Sequence, residues 1–182
     1  MNKFIIIMSL IFSSFLGYSQ NVNIVEPEFS GTIVNVNGNT GSGLPLETTK
    51  LALKTKASAS VYITGIGKAT TRASVKGKTS NVKVKKDNSM QFIYRASDNT
   101  VNPIDVIQLI RFTTKGENRE TVLATAGTFT GSSSGDIGYV QFAAKKYKTS
   151  SYLITVINLS AGEYGFSLGK DESSTIHMFS VE

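Results

Sequence analysis

One string of small residues matches a pattern that surrounds serine nucleophiles. Gly131-Ser132-Ser133-Ser134-Gly135 fits G-x-S-x-G, and Asp136 or Asp171 and then His177 follow in hydrolase order. The catalytic use of this pattern requires a strand, a sharp turn and then a helix, so that the serine hydroxyl stands beside an oxyanion hole. Here strand-like sequences lie on both sides and no helical pattern follows. We therefore interpret the string as a hairpin loop and predict no catalytic residue in it.

Metal and cofactor chemistry also lacks its residues. His177 is the only histidine and the chain has no cysteine, so imidazole and thiolate metal sites lack partners and disulfides are excluded. We place His177 at the surface or at a sheet edge. Asp98-Asn99, Asn102 and Asp105 could offer oxygens to calcium, but this spacing is usual in Asx turns. We predict no metal and no cofactor, and leave open a carboxylate pair formed by residues distant in sequence.

The uneven charge distribution points to a kind of partner. The chain has a net charge of +6, and the segment from Lys50 to Arg95 holds eleven basic residues but one acid, Asp87. Alternation along residues 81–86 places Lys83 and Lys85 on one strand face, with Val82 and Val84 toward the core. A cationic stripe of this kind suits an anionic glycan, lipopolysaccharide or another envelope protein. The alternative is that these lysines are solvated and protect strand edges from pairing.

One tyrosine is added to the predicted binding surface. Tyr147 lies within Lys145-Lys146-Tyr147-Lys148, which makes it the tyrosine that we expect to be exposed. Nucleic acid is not the expected partner, because no aromatic residue that could stack on bases occurs between Ala69 and Met90. The residues predicted to bind a ligand are Lys76, Lys78, Lys83, Lys85, Lys86 and Tyr147.

Short strands must position these side chains. Segments rich in Val, Ile, Thr, Tyr and Phe alternate with turn residues, which predicts an all-β fold: one β-sandwich of immunoglobulin-like or jelly-roll type, with nine or ten strands. Residues 44–54 could form a strand or a short helix. The predicted strands are 29–36, 60–66, 81–85, 90–95, 106–113, 121–126, 138–142, 152–158, 163–168 and 175–181.

The N-terminal residues have the layout of a secretory signal. Lys3 precedes an apolar run at residues 4–16, and the small residues Gly17 and Ser19 stand where a signal peptidase would cut before Gln20. The run is shorter than the roughly 20 residues of a membrane-spanning helix. We predict a signal peptide at residues 1–19 and a single domain at 20–182 that is periplasmic or secreted, with no transmembrane segment after cleavage.

A corner near the C-terminus gives the sandwich prediction a specific feature. Leu159 would cap the core, Gly162 would adopt a backbone angle that other residues avoid, and the Tyr164 hydroxyl would bond the backbone of the corner. With the signal ending in Ser-Gln and the closing strand at 175–181, this pattern resembles a diffuse group of uncharacterised secreted β-sandwich proteins of Bacteroidetes-type bacteria. The resemblance implies the fold and the compartment, and it transfers no active site.

These observations together predict an exported, non-catalytic binding or surface-interaction module for an anionic glycan or envelope component. Two alternatives remain open at this point. One is a hydrolase of envelope polysaccharides with carboxylates on several strands. The other is a structural or adhesin subunit that assembles by strand pairing, for which residues 21–27 could supply the exchanged strand.

Overall fold

The computed structural model describes residues 23–38, 41–64, 66–127, 131–133, 138–168 and 175–182. The predicted signal peptide and its cleavage site therefore lie outside the described residues. The same holds for Ser134, Asp136 and Asp171 of the hydrolase-like pattern. In the described part of the chain, no helix is both long and apolar enough to cross a membrane.

The smaller of two sheets has five strands, all paired antiparallel. It joins two hairpins through a central strand from elsewhere in the chain, because the inner strand of each hairpin pairs with that central strand. The spatial order is β12 (Ala143–Tyr147), β13 (Ser151–Ile157), β7 (Ser89–Arg95), β1 (Ile33–Asn35) and β2 (Leu44–Pro45).

The larger sheet has ten strands, and all but one pair are antiparallel. Its main path runs in the order β3 (Glu47–Lys50), β15 (Thr175–Val181), β14 (Gly162–Leu168), β8 (Ile107–Lys115), β9 (Asn118–Gly127), β5 (Lys68–Lys76) and β4 (Ala52–Ala57). Three short strands pair beside this path: β6 (Lys83–Val84), parallel to β15, β10 (Gly131–Ser133), on β9, and β11 (Tyr139–Val140), on β8. Two short helices, α1 (Ala59–Thr64) and α2 (Pro103–Val106), lie in connections.

Two of the three apolar clusters in the described residues lie against the larger sheet, one on each of its faces, and the sheet curls around one of them. The main core lies between the two sheets, where Phe92 of β7 meets Phe166 of β14 and Phe179 of β15 at ring-centroid distances of 5.1 and 4.9 Å. The second core lies on the opposite face of β8, β14 and β15, and includes Val75 of β5 and Phe112 of β8. Strands β3 and β4, at the two ends of the path, are consecutive in sequence. The sheet thus bends around the second core, and we call the face that lines this core the inner face.

The all-β prediction is confirmed, and so is the corner that leads into β14. The Tyr164 hydroxyl donates a hydrogen bond of 2.9 Å to the carbonyl oxygen of Ser160, while Leu159 is buried in the main core. Gly162 has a φ of +153°, which a residue with a side chain rarely adopts.

Other segments differ from the prediction. Residues 60–66 were expected to be a strand, but Ala59–Thr64 forms helix α1 at the turn between β4 and β5. Lys68–Lys76, which lies outside all of the predicted strands, forms the nine-residue strand β5. The region at 44–54 forms strands rather than a helix.

Candidate anion-binding face

The outer face of strands β4, β5, β9 and β8 collects cations from four strands. Directly opposed residues in an antiparallel pair point to the same side of a sheet. Lys54 is opposite Arg72, and Arg72 is opposite Val122, while Thr113 is opposite Glu120. Continuing each strand with period two collects one set of side chains on the side away from the second core. We call this set the basic face: Lys54, Lys56, Lys68, Arg72, Lys76, Arg111 and Lys115, with Glu120.

The charges on this face are unbalanced and open to solvent. Among the described residues of these four strands, Glu120 is the single acid on the basic face, against seven cations. Arg72 and Glu120 are half-buried, and the other six side chains are exposed. Such a surface attracts anions from solution and holds their charge through several weak contacts.

A cleft opens in the basic face where β8 and β9 separate. The two strands pair only at residues 113–115 and 118–120; beyond that, β8 pairs with β11 and β9 pairs with β10. The fork leaves a cavity of about 390 Å³. Its lining includes Arg72, Arg111, Thr113, Lys115 and Glu120.

Local backbone geometry places the two arginines at this cleft. The backbone N–H of Arg111 donates to the carbonyl oxygen of Gly138 at 2.7 Å, and a Cβ on Gly138 would stand only 3.0 Å from the Arg111 oxygen. A side chain at position 138 would therefore require the Arg111 backbone to shift by a few tenths of an ångström. The Arg111 guanidinium carbon lies 6.0 Å from the centre of the Tyr164 ring, within the range of a cation–π contact. Arg72 follows a β-bulge, which re-aims side chains locally.

This arrangement suits recognition of a carboxylate, sulfate or phosphate group. Guanidinium groups offer several N–H donors in one plane, matching the oxygens of such anions, and the hydroxyl of Thr113 adds a further donor. Glu120 lies within the same cleft and would favour ligands that also carry a hydroxyl or amine.

The lysines predicted to bind a partner are divided between separate parts of the larger sheet. Lys76 lies on the basic face, at the end of β5. Lys78 forms an ion pair of 2.9 Å with Glu117, and Lys83 forms one of 3.0 Å with Glu182. Lys83 is on β6 beside β15, and neither strand neighbours β5 in the sheet. Lys85 and Lys86 are exposed in the segment after β6.

Tyr147 is half-buried, contrary to the expected exposure. Its hydroxyl donates to the carbonyl oxygen of Ile24 at 2.7 Å and accepts from the Ile24 N–H at 3.0 Å. These bonds hold the N-terminal residues against β12. The tyrosines with large exposed fractions in the described residues are Tyr62, at 80%, and Tyr139, at 51%.

His177 is buried in the larger sheet, so its predicted position at the surface or at an edge is wrong. The side chain is 6% exposed because β3 covers the side of β15 away from β14. Its Nδ1 lies 3.2 Å from the Thr48 hydroxyl. Burial disfavours the charged imidazolium and lowers the pKa of His177 below its ordinary value.

A second group of charges is buried where segment 76–82 crosses the end of the larger sheet. Arg119 has a side chain only 1% exposed, and its guanidinium lies 3.0 Å from Glu47 and 3.6 Å from Glu163. It also donates to the carbonyl oxygens of Lys76 and Gly77. We call Arg119, Glu47 and Glu163 the buried charge cluster.

Serine hydroxyls and backbone N–H groups satisfy the remaining oxygens of this cluster. Ser80 donates to Glu47 through its hydroxyl at 2.6 Å and to Glu163 through its N–H at 2.8 Å, and Ser180 donates to Glu163 at 2.6 Å. Burial alone would raise the pKa of Glu47, but bonds from Arg119, Ser80 and the Asn81 N–H outweigh it and hold the pKa below its ordinary value. Fully bonded carboxylates of this kind fasten segment 76–82 to the sheet.

The residues considered for calcium belong to turns and a helix start. Asp98 accepts from the N–H and hydroxyl of Thr100, which lowers the pKa of Asp98, and the Asn102 side chain caps α2. In the described ranges, no three His, Asp or Glu side chains are grouped closely enough to hold a metal ion.

Sequence reasoning missed Arg111 and Lys115 because they lie outside the basic segment that ends at Arg95. Arg111 lies in the predicted strand 106–113, so its outward direction was available from the sequence, whereas Lys115 lies beyond the end of that prediction. The missing information was the pairing of β8 with β9 and of β9 with β5, which brings them beside Arg72.

No model of a known protein family matches this chain, and a search of curated proteins gave no match.

Proposed function

We propose that this protein is an exported, non-catalytic binding module that takes an anionic glycan or another anionic envelope component on its basic face. The observation that carries the proposal is the excess of seven cations over one acid on the outer face of β4, β5, β9 and β8. The cleft between β8 and β9 would seat one anionic group, and the surrounding lysines would follow the rest of a polymer.

A strand sheet is a suitable frame for this role. The part of the basic face on β5, β9 and β8 is backed by the second core, so its side chains project from a packed surface, whereas β4 is exposed along most of its length. A fixed array of charges loses little backbone entropy when a polymer binds. Export would bring the face into contact with the polysaccharides of the cell envelope.

The hydrolase alternative gains no support from the charged groups that come together. Among the described residues, the carboxylates of distant sequence origin that meet are Glu47 and Glu163, and both are engaged by Arg119 and serine donors. A glycosidase needs one carboxyl that can donate a proton and a second that faces the sugar. The proposal is therefore binding and not bond cleavage.

The test compares dextran sulfate with uncharged dextran as immobilised ligands for the exported protein. We expect retention on dextran sulfate alone, with affinity falling as salt is added, because exposed charges are screened. Arg72→Ala combined with Arg111→Ala should weaken binding by about tenfold or more, since bonds to charged groups contribute about 1.5–3 kcal/mol each.

The matched control is Lys85→Ala combined with Lys86→Ala, which removes two exposed cations away from the cleft. This control should leave most of the affinity. Equal weakening by both pairs would assign binding to overall charge and reject the cleft. Equal retention on dextran and dextran sulfate would reject the proposed function.

A further inference from the structure

The connection between β4 and β5 presents large apolar side chains to solvent. We call residues 58–64 with 66 and 67 the hairpin tip; Gly65 lies outside the described residues. Tyr62 is 80% exposed, Ile63 82% and Ile66 46%. Exposed apolar side chains clustered in this way mark a surface that contacts something less polar than water.

Hydrogen bonds within the hairpin tip hold its backbone in place. The Ser58 N–H donates to the Lys68 carbonyl oxygen at 2.9 Å, and the Thr64 hydroxyl donates to the Ser60 carbonyl oxygen at 2.9 Å. The N–H of Ile66 donates to the Thr64 hydroxyl at 3.3 Å. The apolar side chains thus project outward from an ordered turn that does not need them for packing.

Helix α1 gains no packing through the side chains that the structure describes. It has six residues, and each of its side chains that the structure describes is exposed. Isolated helices shorter than about 12 residues are marginal in water, because nucleation costs more than a few turns return. An apolar surrounding would remove this cost by covering Tyr62 and Ile63.

Cations surround the base of the hairpin tip. Lys56 and Lys68 lie within two residues of it on β4 and β5, and Lys54 follows on the same face. The sequence has no acidic residue between Glu47 and Asp87. The order along the hairpin is therefore apolar at the end and cationic directly behind it.

We propose that the hairpin tip inserts into the interface of an anionic phospholipid bilayer, with Lys54, Lys56 and Lys68 at the headgroup level. The apolar side chains would enter the boundary between headgroups and acyl chains, while the lysines bind lipid phosphates and keep their ammonium groups in water. This attachment uses the end of the β4–β5 hairpin. It shares Lys54, Lys56 and Lys68 with the basic face but is separate from the cleft between β8 and β9, and it does not rest on the proposed function.

The experiment measures binding of the exported protein to vesicles by flotation. Vesicles of phosphatidylethanolamine with phosphatidylglycerol supply the anionic surface, and vesicles of phosphatidylcholine alone supply the neutral one. The mass of each intact variant is measured to confirm that all have the same N-terminus. A difference in vesicle binding between variants is then due to the substitution. We expect binding to the anionic vesicles and little to the neutral ones.

The matched pair is Ile63→Ser and Ile157→Ser, the same change at two exposed positions. Ile157 is 67% exposed but lies at the end of β13 in the five-stranded sheet, away from the hairpin tip. Ile63→Ser should weaken vesicle binding about fivefold, because one apolar side chain no longer leaves water. Ile157→Ser should change it by less than about twofold, and each of Lys54→Gln and Lys56→Gln should weaken it about fivefold.

Three results would overturn the proposal: no binding to anionic vesicles, equal effects of the two isoleucine variants, or self-association of the protein that Ile63→Ser abolishes. The last result would mean that a second copy covers the tip. Ile63→Ser should leave dextran sulfate binding intact. Vesicle binding without dextran sulfate binding would support the tip and reject the basic-face function, and the reverse result would do the opposite.

Discussion

Arg119 shows at the level of one residue what the buried charge cluster does. Removing one member of a buried ion pair leaves the other charge without a partner, and this typically costs about 3–5 kcal/mol. Arg119→Met keeps most of the apolar stem of the side chain but leaves Glu47 and Glu163 without their cationic partner. We expect the free energy of unfolding, measured with urea, to fall by about that amount.

The control for this prediction is the exposed pair of Lys78 and Glu117, whose side chains are 58% and 81% exposed. Lys78→Met should change the free energy of unfolding by less than about 1 kcal/mol, because solvent screens such pairs. Comparable effects of Arg119→Met and Lys78→Met would show that the cluster does not fasten segment 76–82.

His177 makes a separate prediction about pH. Its pKa is lower in the folded chain than its ordinary value of 6.5, so the unfolded chain takes up a proton at a higher pH than the folded chain. Stability is then fully present above pH 6.5 and declines as pH falls from there toward the folded pKa. The free energy of unfolding should show this decline, and His177→Gln should remove it. A decline of the same size in the variant would assign it to other groups.

The elements differ in how far the sequence alone could predict them. The strand at 175–181 was predicted with the observed ends, because it carries large apolar residues on both of its faces. Those on one face fill the main core and those on the other fill the second core. β5 was not predicted, since its deeply buried inward residues, Ala73 and Val75, are small and its outward residues are charged or polar. The alternation of apolar and polar residues along β5 is therefore weak, although β5 pairs with β9 along its whole length.

The hairpin tip shows the opposite error. Val61, Tyr62, Ile63 and Thr64 all favour strands, and this local preference indicated a strand at 60–66. The observed helix caps a hairpin between two strands, where the chain must reverse direction. Local preference is outweighed here by the pairing of β4 with β5 on either side, which begins at Ala57 and Ala69.

The position of His177 was hidden by long-range pairing. A strand at the end of a chain is easily taken for a sheet edge, but β3 pairs with β15 through Thr48 opposite His177. β3 comes from the first third of the chain, and the sequence of the closing strand does not indicate that β3 pairs with it. The same reason explains why the basic face was not predicted as a whole, since its cations come from strands that are distant in sequence.

For the molecule as a whole, repulsion among the cations of the basic face lowers the free energy of unfolding, and folding alone does not require these cations. Lys54 stands directly opposite Arg72, and like charges in this position repel. Seven cations on one face raise this repulsion further, while burial of the second core on the other side of the sheet offsets it. A surface retained at such a cost is expected where binding requires it, because stability and function often conflict at binding sites.

This conflict between stability and binding predicts that a single variant becomes more stable but binds its ligand more weakly. Lys54→Gln should raise the free energy of unfolding by about 0.2–1 kcal/mol at low salt, because it removes the repulsion with Arg72. The gain should shrink as salt screens the parent protein. The same variant should bind dextran sulfate more weakly. Lys145→Gln is the matched control, since Lys145 is exposed and stands opposite Leu153, so its removal relieves no repulsion. If Lys54→Gln lowers stability, or if Lys145→Gln raises it equally, the basic face is not under electrostatic strain and its charges act only as solvated strand residues.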